Sequence, residues 1–206
     1  MPVNGHLIKC IGKNMDVSAL VARLTDEPQL FNANTWRQDY VVQLDRPVSP
    51  QQDTAAVMFR WAPVNTIESV RDSTDILIDQ NMEKISEVHR PLICSLKAAG
   101  ASECGRVFVA RLKPGGKVIP HMDYGKYADK FERFHLVLTS DPGNMFHVTD
   151  HKGYKESCYM KPGELYWFNH KEVHWAENES ATPRMHLIID CVAPLFRRER
   201  HVSFSA

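Results

Sequence analysis

From Arg106 to Val192 the chain reads as short apolar segments divided by turn-forming residues, and this rhythm limits the possible folds more than any other feature. The segments are RVFVARL (106–112), KVIP (117–120), FHLVLTS (134–140), MFHVTD (145–150), KESCYM (155–160), LYWFN (165–169), VHWAE (173–177) and RMHLIIDCV (184–192). Between them stand Pro-Gly-Gly, Asp-Pro-Gly, Lys-Gly, Lys-Pro-Gly and similar turns. About eight short strands with a turn signal roughly every 8–12 residues predict a sandwich, jelly roll or barrel. A plain antiparallel sheet without a pocket is the alternative. In a jelly roll, two sheets bring residues distant in sequence to one open mouth.

The N-terminal half is mixed. HLIKCIG (6–12), YVVQL (40–44) and AAVMFRW (55–61) read as strands. Asp16 can cap a helix in which Val17, Leu20, Val21 and Leu24 recur at helical spacing. A second helix is predicted over about 80–99, broken or kinked near Pro91 and stopped by Gly100. The 206 residues suit one domain. The expected class is mainly β with flanking helices (α+β), with 1–105 a mixed flank and 106–192 a jelly-roll (double-stranded β-helix) catalytic core.

Charge singles out no partner. Twenty-five basic side chains balance twenty-five acidic ones, so nucleic acid and anionic membranes are not indicated. Five scattered cysteines without a C-x-x-C pattern argue against a zinc clip or a disulfide framework and fit reduced thiols in a cytoplasm. No apolar run approaches the roughly 18 residues that a membrane span needs, and a soluble cytoplasmic protein is expected. The basic cluster RRERH (197–201) reads as a solvated tail.

Histidines are unevenly placed: seven of the ten lie between His121 and His186. In PHMDYG, His121 and Asp123 are two positions apart, so at an extended strand end both point to one side. A site with two histidines and one carboxylate holds Fe(II) on one face and leaves the other positions for cosubstrate and dioxygen. His174 stands 53 positions after His121, enough for four strands and a return to the same mouth. Two competing patterns are weaker. His170-Lys171-Glu172 is followed too soon by His186 and His201, and His170-x-x-x-His174 has its glutamate in the wrong place for a zinc protease helix.

A dicarboxylate such as 2-oxoglutarate needs a cation for its far end, and arginine supplies the bidentate geometry. Arg184 lies ten positions after His174 and opens RMHLIID; Arg133 opens the similar RFHLVL. His135 and His186 follow two residues later on the same strand faces. His135 is a candidate donor to the metal-chelating carboxylate, and His186 is either such a residue or a satisfied core histidine.

The blocks LKPGGKVIPHMD, RFHLVL, KPGELYWFNHKEVHWAENES and PRMHLIIDC, covering about 106–192, resemble the aspartyl/asparaginyl β-hydroxylase family of Fe(II)/2-oxoglutarate dioxygenases, whose catalytic domain is a double-stranded β-helix. The resemblance implies that His121 and His174 bind iron, that Arg133 and His135 lie near the 2-oxoglutarate carboxylates, and that Arg184 holds the far one. Asn178, Ser180 and Asp190 match the family's texture without an assigned role. The animal aspartyl hydroxylases lack a carboxylate at the second ligand position, whereas Asp123 is present here. That places the chain nearer small bacterial members such as proline hydroxylases.

The expected activity is hydroxylation of an unactivated carbon of an amino acid, peptide or related small molecule, using dioxygen and releasing succinate and carbon dioxide. An Asp or Asn side chain of a protein is the alternative substrate. A metal-binding cupin-type module is the alternative class, although cupins usually present an H-x-H, which is absent here. Candidate substrate contacts are Tyr124 and Lys126, with Tyr127, in a polar segment after the first ligands, Trp167 or Trp175 on the pocket wall, and Arg60 with Trp61 from the flank.

Overall fold

The computed structural model describes residues 6–33, 49–62, 78–79 and 82–197. Among these, the strands are β1 (Ile8–Gly12), β2 (Thr54–Trp61), β3 (Ile78–Asp79), β4 (Cys104–Leu112), β5 (Lys117–His121), β6 (Glu132–Thr139), β7 (Asn144–Thr149), β8 (Lys155–Tyr159), β9 (Leu165–Phe168), β10 (Val173–Asn178) and β11 (Arg184–Cys191). They form a seven-stranded sheet in the order β1-β9-β6-β11-β4-β2-β3 and a four-stranded sheet in the order β5-β10-β7-β8. The pairings are antiparallel. From β4 onward the chain passes repeatedly between the two sheets, which is the jelly roll, or double-stranded β-helix, expected from the turn rhythm.

The two sheets are buried differently because their sequences differ. β11 (RMHLIIDC) has little polar alternation and is buried at all eight positions. One of its faces meets the smaller sheet and the other meets helices. β10 (VHWAEN) alternates, with His174, Ala176 and Asn178 buried and the residues between them partly exposed.

Helices α1 (Ser18–Asp26) and α2 (Ser86–Ala98) cover the outer face of the larger sheet. Leu20 and Leu24, and Val88, Leu92 and Leu96, lie four residues apart on one side of each helix. They pack on Val107, Val109, Phe134, Leu136 and Ile189. Leu92 has no exposed surface, so truncation to alanine would cost roughly 2–5 kcal/mol. A second cluster, including Val137, Phe146, Val148 and Phe168, fills the space between the sheets. A third, with Met58, Trp61, Phe108 and Ile188, closes one end.

Local expectations change in three places. Asp16 accepts the Ser18 N–H at 3.0 Å, but the helix cap position itself is Val17. The second helix opens with a 3-10 turn at Met82–Ile85 and runs through Pro91 without a break, ending before Gly100, whose φ of 88° is left-handed. β1 and β2, from the N-terminal half, are strands of the larger sheet, on β9 and β4 respectively. The expected strand at 40–44 lies outside the described residues. No helix among those residues is long and apolar enough to cross a membrane.

Candidate active site

His121 ends β5 and His174 lies in β10, and the ladder between these strands sets the two histidines directly opposite each other. Their ring centroids are 4.3 Å apart. Each Nδ1 lies near the carbonyl two residues earlier, His121 on Ile119 at 2.9 Å and His174 on Glu172 at 3.0 Å. A carbonyl only accepts, so each Nδ1 carries the proton and each Nε2 offers its lone pair. Asp123 follows in the next loop, tied by its N–H to the His170 carbonyl at 3.0 Å. One candidate ligand atom from each of His121, Asp123 and His174 falls within 4.8 Å of the others. Two imidazole nitrogens and a carboxylate at this spacing can hold a divalent transition metal.

Arg133 holds the carboxylate in place. Its Nη1 donates to Asp123 Oδ2 at 2.6 Å, while Nε and Nη2 donate to Asp190 Oδ1 and Oδ2 at 2.9 and 3.0 Å. Burial opposes charge on Asp123, but Arg133 and the nearby His170 outweigh it and hold the carboxyl well below the usual range. Asp190 accepts in turn from Tyr127 Oη at 3.1 Å, and that oxygen accepts the Arg106 N–H at 2.6 Å. The Arg106 guanidinium lies 3.6 Å from the Tyr127 ring centroid and 4.6 Å from that of Trp61. Gly105 permits this packing, because a Cβ there would come within 2.5 Å of the Tyr127 oxygen and 2.8 Å of Phe131.

Arg184 is also buried, but its surroundings are different. Its Nη2 donates to His186 Nδ1 at 3.1 Å, and no carboxylate among the described residues pairs with it. Burial lowers its pKa to about 10. His186 Nδ1 is also 3.2 Å from His135 Nδ1. Burial, reinforced by Arg184, keeps both histidines neutral. The Nε2 atoms of His135 and His186 are buried without a hydrogen-bond partner among the described residues. One cavity is lined by His121, His174, Arg133, His135 and Arg184, with Val118, Phe146 and Phe168 as apolar wall. Gln51 and Thr54, around the start of β2, also border it, and Gln51 Nε2 is 3.4 Å from His121 Nε2.

Arg133, expected near the 2-oxoglutarate carboxylates, lines the cavity, and its guanidinium already meets two protein carboxylates. The substrate candidates are dispersed. Tyr124 and Lys126 are exposed after Asp123, and neither lines the cavity. Arg60 donates to Asp79 at 2.7 Å in the β2–β3 pair, outside the cavity. Trp175 borders the cavity, but its ring stacks on His147 at 4.8 Å, on the opposite face of its sheet from His174. Trp167 belongs to the helix-side core, Trp61 packs edge-on against Phe108, and Tyr127 is buried in the Asp190 network.

Sequence reading left Asp190, Arg106, Gln51 and His170 without roles. Asp190 did carry a signal, as the acid in an otherwise apolar strand. Gln51 carried none, since an amide in a polar turn is ordinary. His170 stands 3.4 Å from Asp123 Oδ2 and outside the three-residue cluster.

The fold and site define a jelly-roll protein with a part-buried His-Asp-His cluster beside a buried arginine. Residues 75–194 match the family described as Aspartyl/Asparaginyl beta-hydroxylase, and the chain belongs to that family. It is 33% identical over 88 residues to the L-proline cis-4-hydroxylase of Rhizobium meliloti (strain 1021), a match covering 43% of this chain and 30% of that protein. Two solved structures share the fold. One is a 2OG-Fe(II) oxygenase family oxidoreductase from Burkholderia pseudomallei, with TM-score 0.54 and 13% identity, covering 89% of this chain and 92% of that one. The other is a Pseudomonas putida prolyl-4-hydroxylase, with TM-score 0.51 and 11% identity, covering 91% and 93%.

Proposed function

We propose that this chain is an Fe(II)- and 2-oxoglutarate-dependent dioxygenase that hydroxylates an unactivated carbon of an amino acid, peptide or related small molecule. The observation that carries this reading is one cavity lined by His121 and His174 of the His121-Asp123-His174 cluster and by Arg184, a buried cation with no carboxylate among the described residues. Family membership and the partial match to a proline hydroxylase support the same reaction class.

The donor set fits Fe(II). Both histidines offer Nε2 and Asp123 is held ionised, which is the two-histidine, one-carboxylate arrangement that leaves positions open. His121, Asp123 and His174 would hold the metal. Bound there, iron and 2-oxoglutarate would supply the oxidising chemistry that turns a C–H group and dioxygen into an alcohol, with succinate and carbon dioxide released.

The protein's own residues bind and orient. Arg184 would pair with the far carboxylate of 2-oxoglutarate, giving a buried guanidinium the anion it lacks. His135 lines the same cavity, its Nδ1 turned to His186 Nδ1, and would flank the cosubstrate beside Arg184. Arg133 keeps Asp123 ionised and aimed at the metal position. Phe146 and Phe168 keep water from the wall.

Anaerobic titration with Fe(II) and 2-oxoglutarate should produce a weak visible charge-transfer band, and its absence would remove the reading. Succinate release over a panel of free amino acids, beginning with proline, and then peptides would identify the substrate class.

A further inference from the structure

Away from the cavity, Cys104 and Cys191 meet at the end of the larger sheet. Cys104 opens β4 and Cys191 closes β11, and the two are direct partners in the antiparallel ladder. Directly opposed Cα atoms in such a ladder lie about 4.5–5.5 Å apart, inside the roughly 4.4–6.8 Å that a disulfide spans. Both side chains belong to the helix-side core, so they project to one face. The register slips between Ile189 and Cys191, so the pair stands just past an irregularity where the strands are less tightly constrained.

The two thiols are not equivalent. Cys104 is partly exposed and Cys191 is buried, so an oxidant from solvent reaches Cys104 first. The Cys191 thiol, as a donor toward Cys104, is the largest influence on it; together with His89 from α2 and Arg60 it overcomes burial and lowers the Cys104 pKa. The same contact and burial push Cys191 up. The partly exposed sulfur is therefore the one more readily ionised and its buried neighbour the one held protonated, the division of labour of an attacking and a resolving cysteine.

We propose that Cys104 and Cys191 form a peroxide-oxidisable dithiol that closes to a cross-strand disulfide. The Cys104 thiolate attacks one oxygen of hydrogen peroxide, the O–O bond breaks, and a sulfenic acid forms with release of hydroxide. Cys191 then attacks that sulfur, the S–S bond forms, and the sulfenic oxygen leaves as water, while the Cys191 proton neutralises the hydroxide from the first step. The thiolate's own proton, already in solvent, completes the balance: two thiols lose two electrons, and one peroxide becomes two waters.

Metal-free full-length protein treated with hydrogen peroxide, alkylated and digested without reductant would test this. The Cys104–Cys191 linked peptide should form roughly ten-fold faster than the exposed Cys94 is oxidised, and dithiothreitol should reverse it. Prior oxidation of Cys94, or accumulation of Cys104 sulfinic acid without the link, would overturn the proposal. Cys191→Ser removes the resolving thiol, so a sulfenic acid at Cys104 should become trappable by dimedone; no trapping would also overturn it. His89→Gln should slow both the link and the trapping, whereas a merely structural thiol pair would react at the unchanged rate.

Discussion

Arg133 in RFHL and Arg184 in RMHL each open an apolar strand with a histidine two residues later, yet they end in different electrostatic surroundings. Arg133 meets Asp123 and Asp190, and those carboxylates outweigh its burial and raise its pKa. Arg184 meets His186, the face of Phe146 and no carboxylate among the described residues, so burial alone dominates and its pKa falls. A buried charge that the protein already neutralises builds structure. The one left uncompensated is the one proposed to take an anionic ligand.

The largest expected effect lies at the point where the Arg133 network ends. His174→Ala or Asp123→Ala should reduce succinate release to background while far-UV circular dichroism keeps the β-rich spectrum; normal turnover by either would sink the assignment. Next comes the contrast between the arginines themselves. Arg133→Met leaves Asp190 buried without its cation and should cost about 3–5 kcal/mol in urea unfolding. Arg184→Met orphans no carboxylate, so it should cost about 1 kcal/mol or less while raising the 2-oxoglutarate requirement on the order of 100-fold. Equal stability losses would erase the distinction between the two.

pH offers a milder test of the same asymmetry. In the metal-free protein, burial and the neighbouring His121 lower His174 to about 3, and burial lowers His135 and His186 in the same direction. Histidines in the unfolded chain titrate near 6.5. Below that value the unfolded state takes up protons that the folded state refuses, so stability should fall as the pH drops from about 6.5 toward 3. Asp123 is lowered as well, but as an acid it contributes stability that is lost only as the pH falls below the ordinary carboxylate range. The urea midpoint of chelator-treated protein should therefore be lower at pH 5 than at pH 7, and a flat profile would contradict the buried neutral histidines. The smallest effect is expected at Trp175→Ala, which removes a stack on the outer sheet face worth about 0.5–1.5 kcal/mol. It should leave the 2-oxoglutarate requirement unchanged.

Legibility tracked how local each determinant is. The eight strands between 104 and 191 were readable because turn residues and apolar runs act within a few positions, and their observed bounds lie within two residues of the segments read from sequence. The convergence of His121, Asp123 and His174 was readable because H-x-D needs only strand alternation and a return after several strands. The different surroundings of the two arginines were not readable, since RFHL and RMHL are locally alike and the acid that separates them, Asp190, is 57 positions away. Of the two tryptophans read as possible pocket wall, Trp175 borders the cavity and Trp167 does not; alternation gives two faces without saying which is inward, and His174, beside Trp175, takes the inner one.

By itself, then, the sequence determined the strand rhythm, the spacing of the candidate ligands and the jelly-roll class, all of which depend on short-range backbone preferences and residue chemistry. Only the tertiary structure decided which arginine is neutralised by protein carboxylates and which is not, which tryptophan faces outward, and that Cys104 and Cys191 are partners. Those outcomes depend on ladder register and burial, where a shift of one residue changes which side chains face each other and how strongly their charges interact.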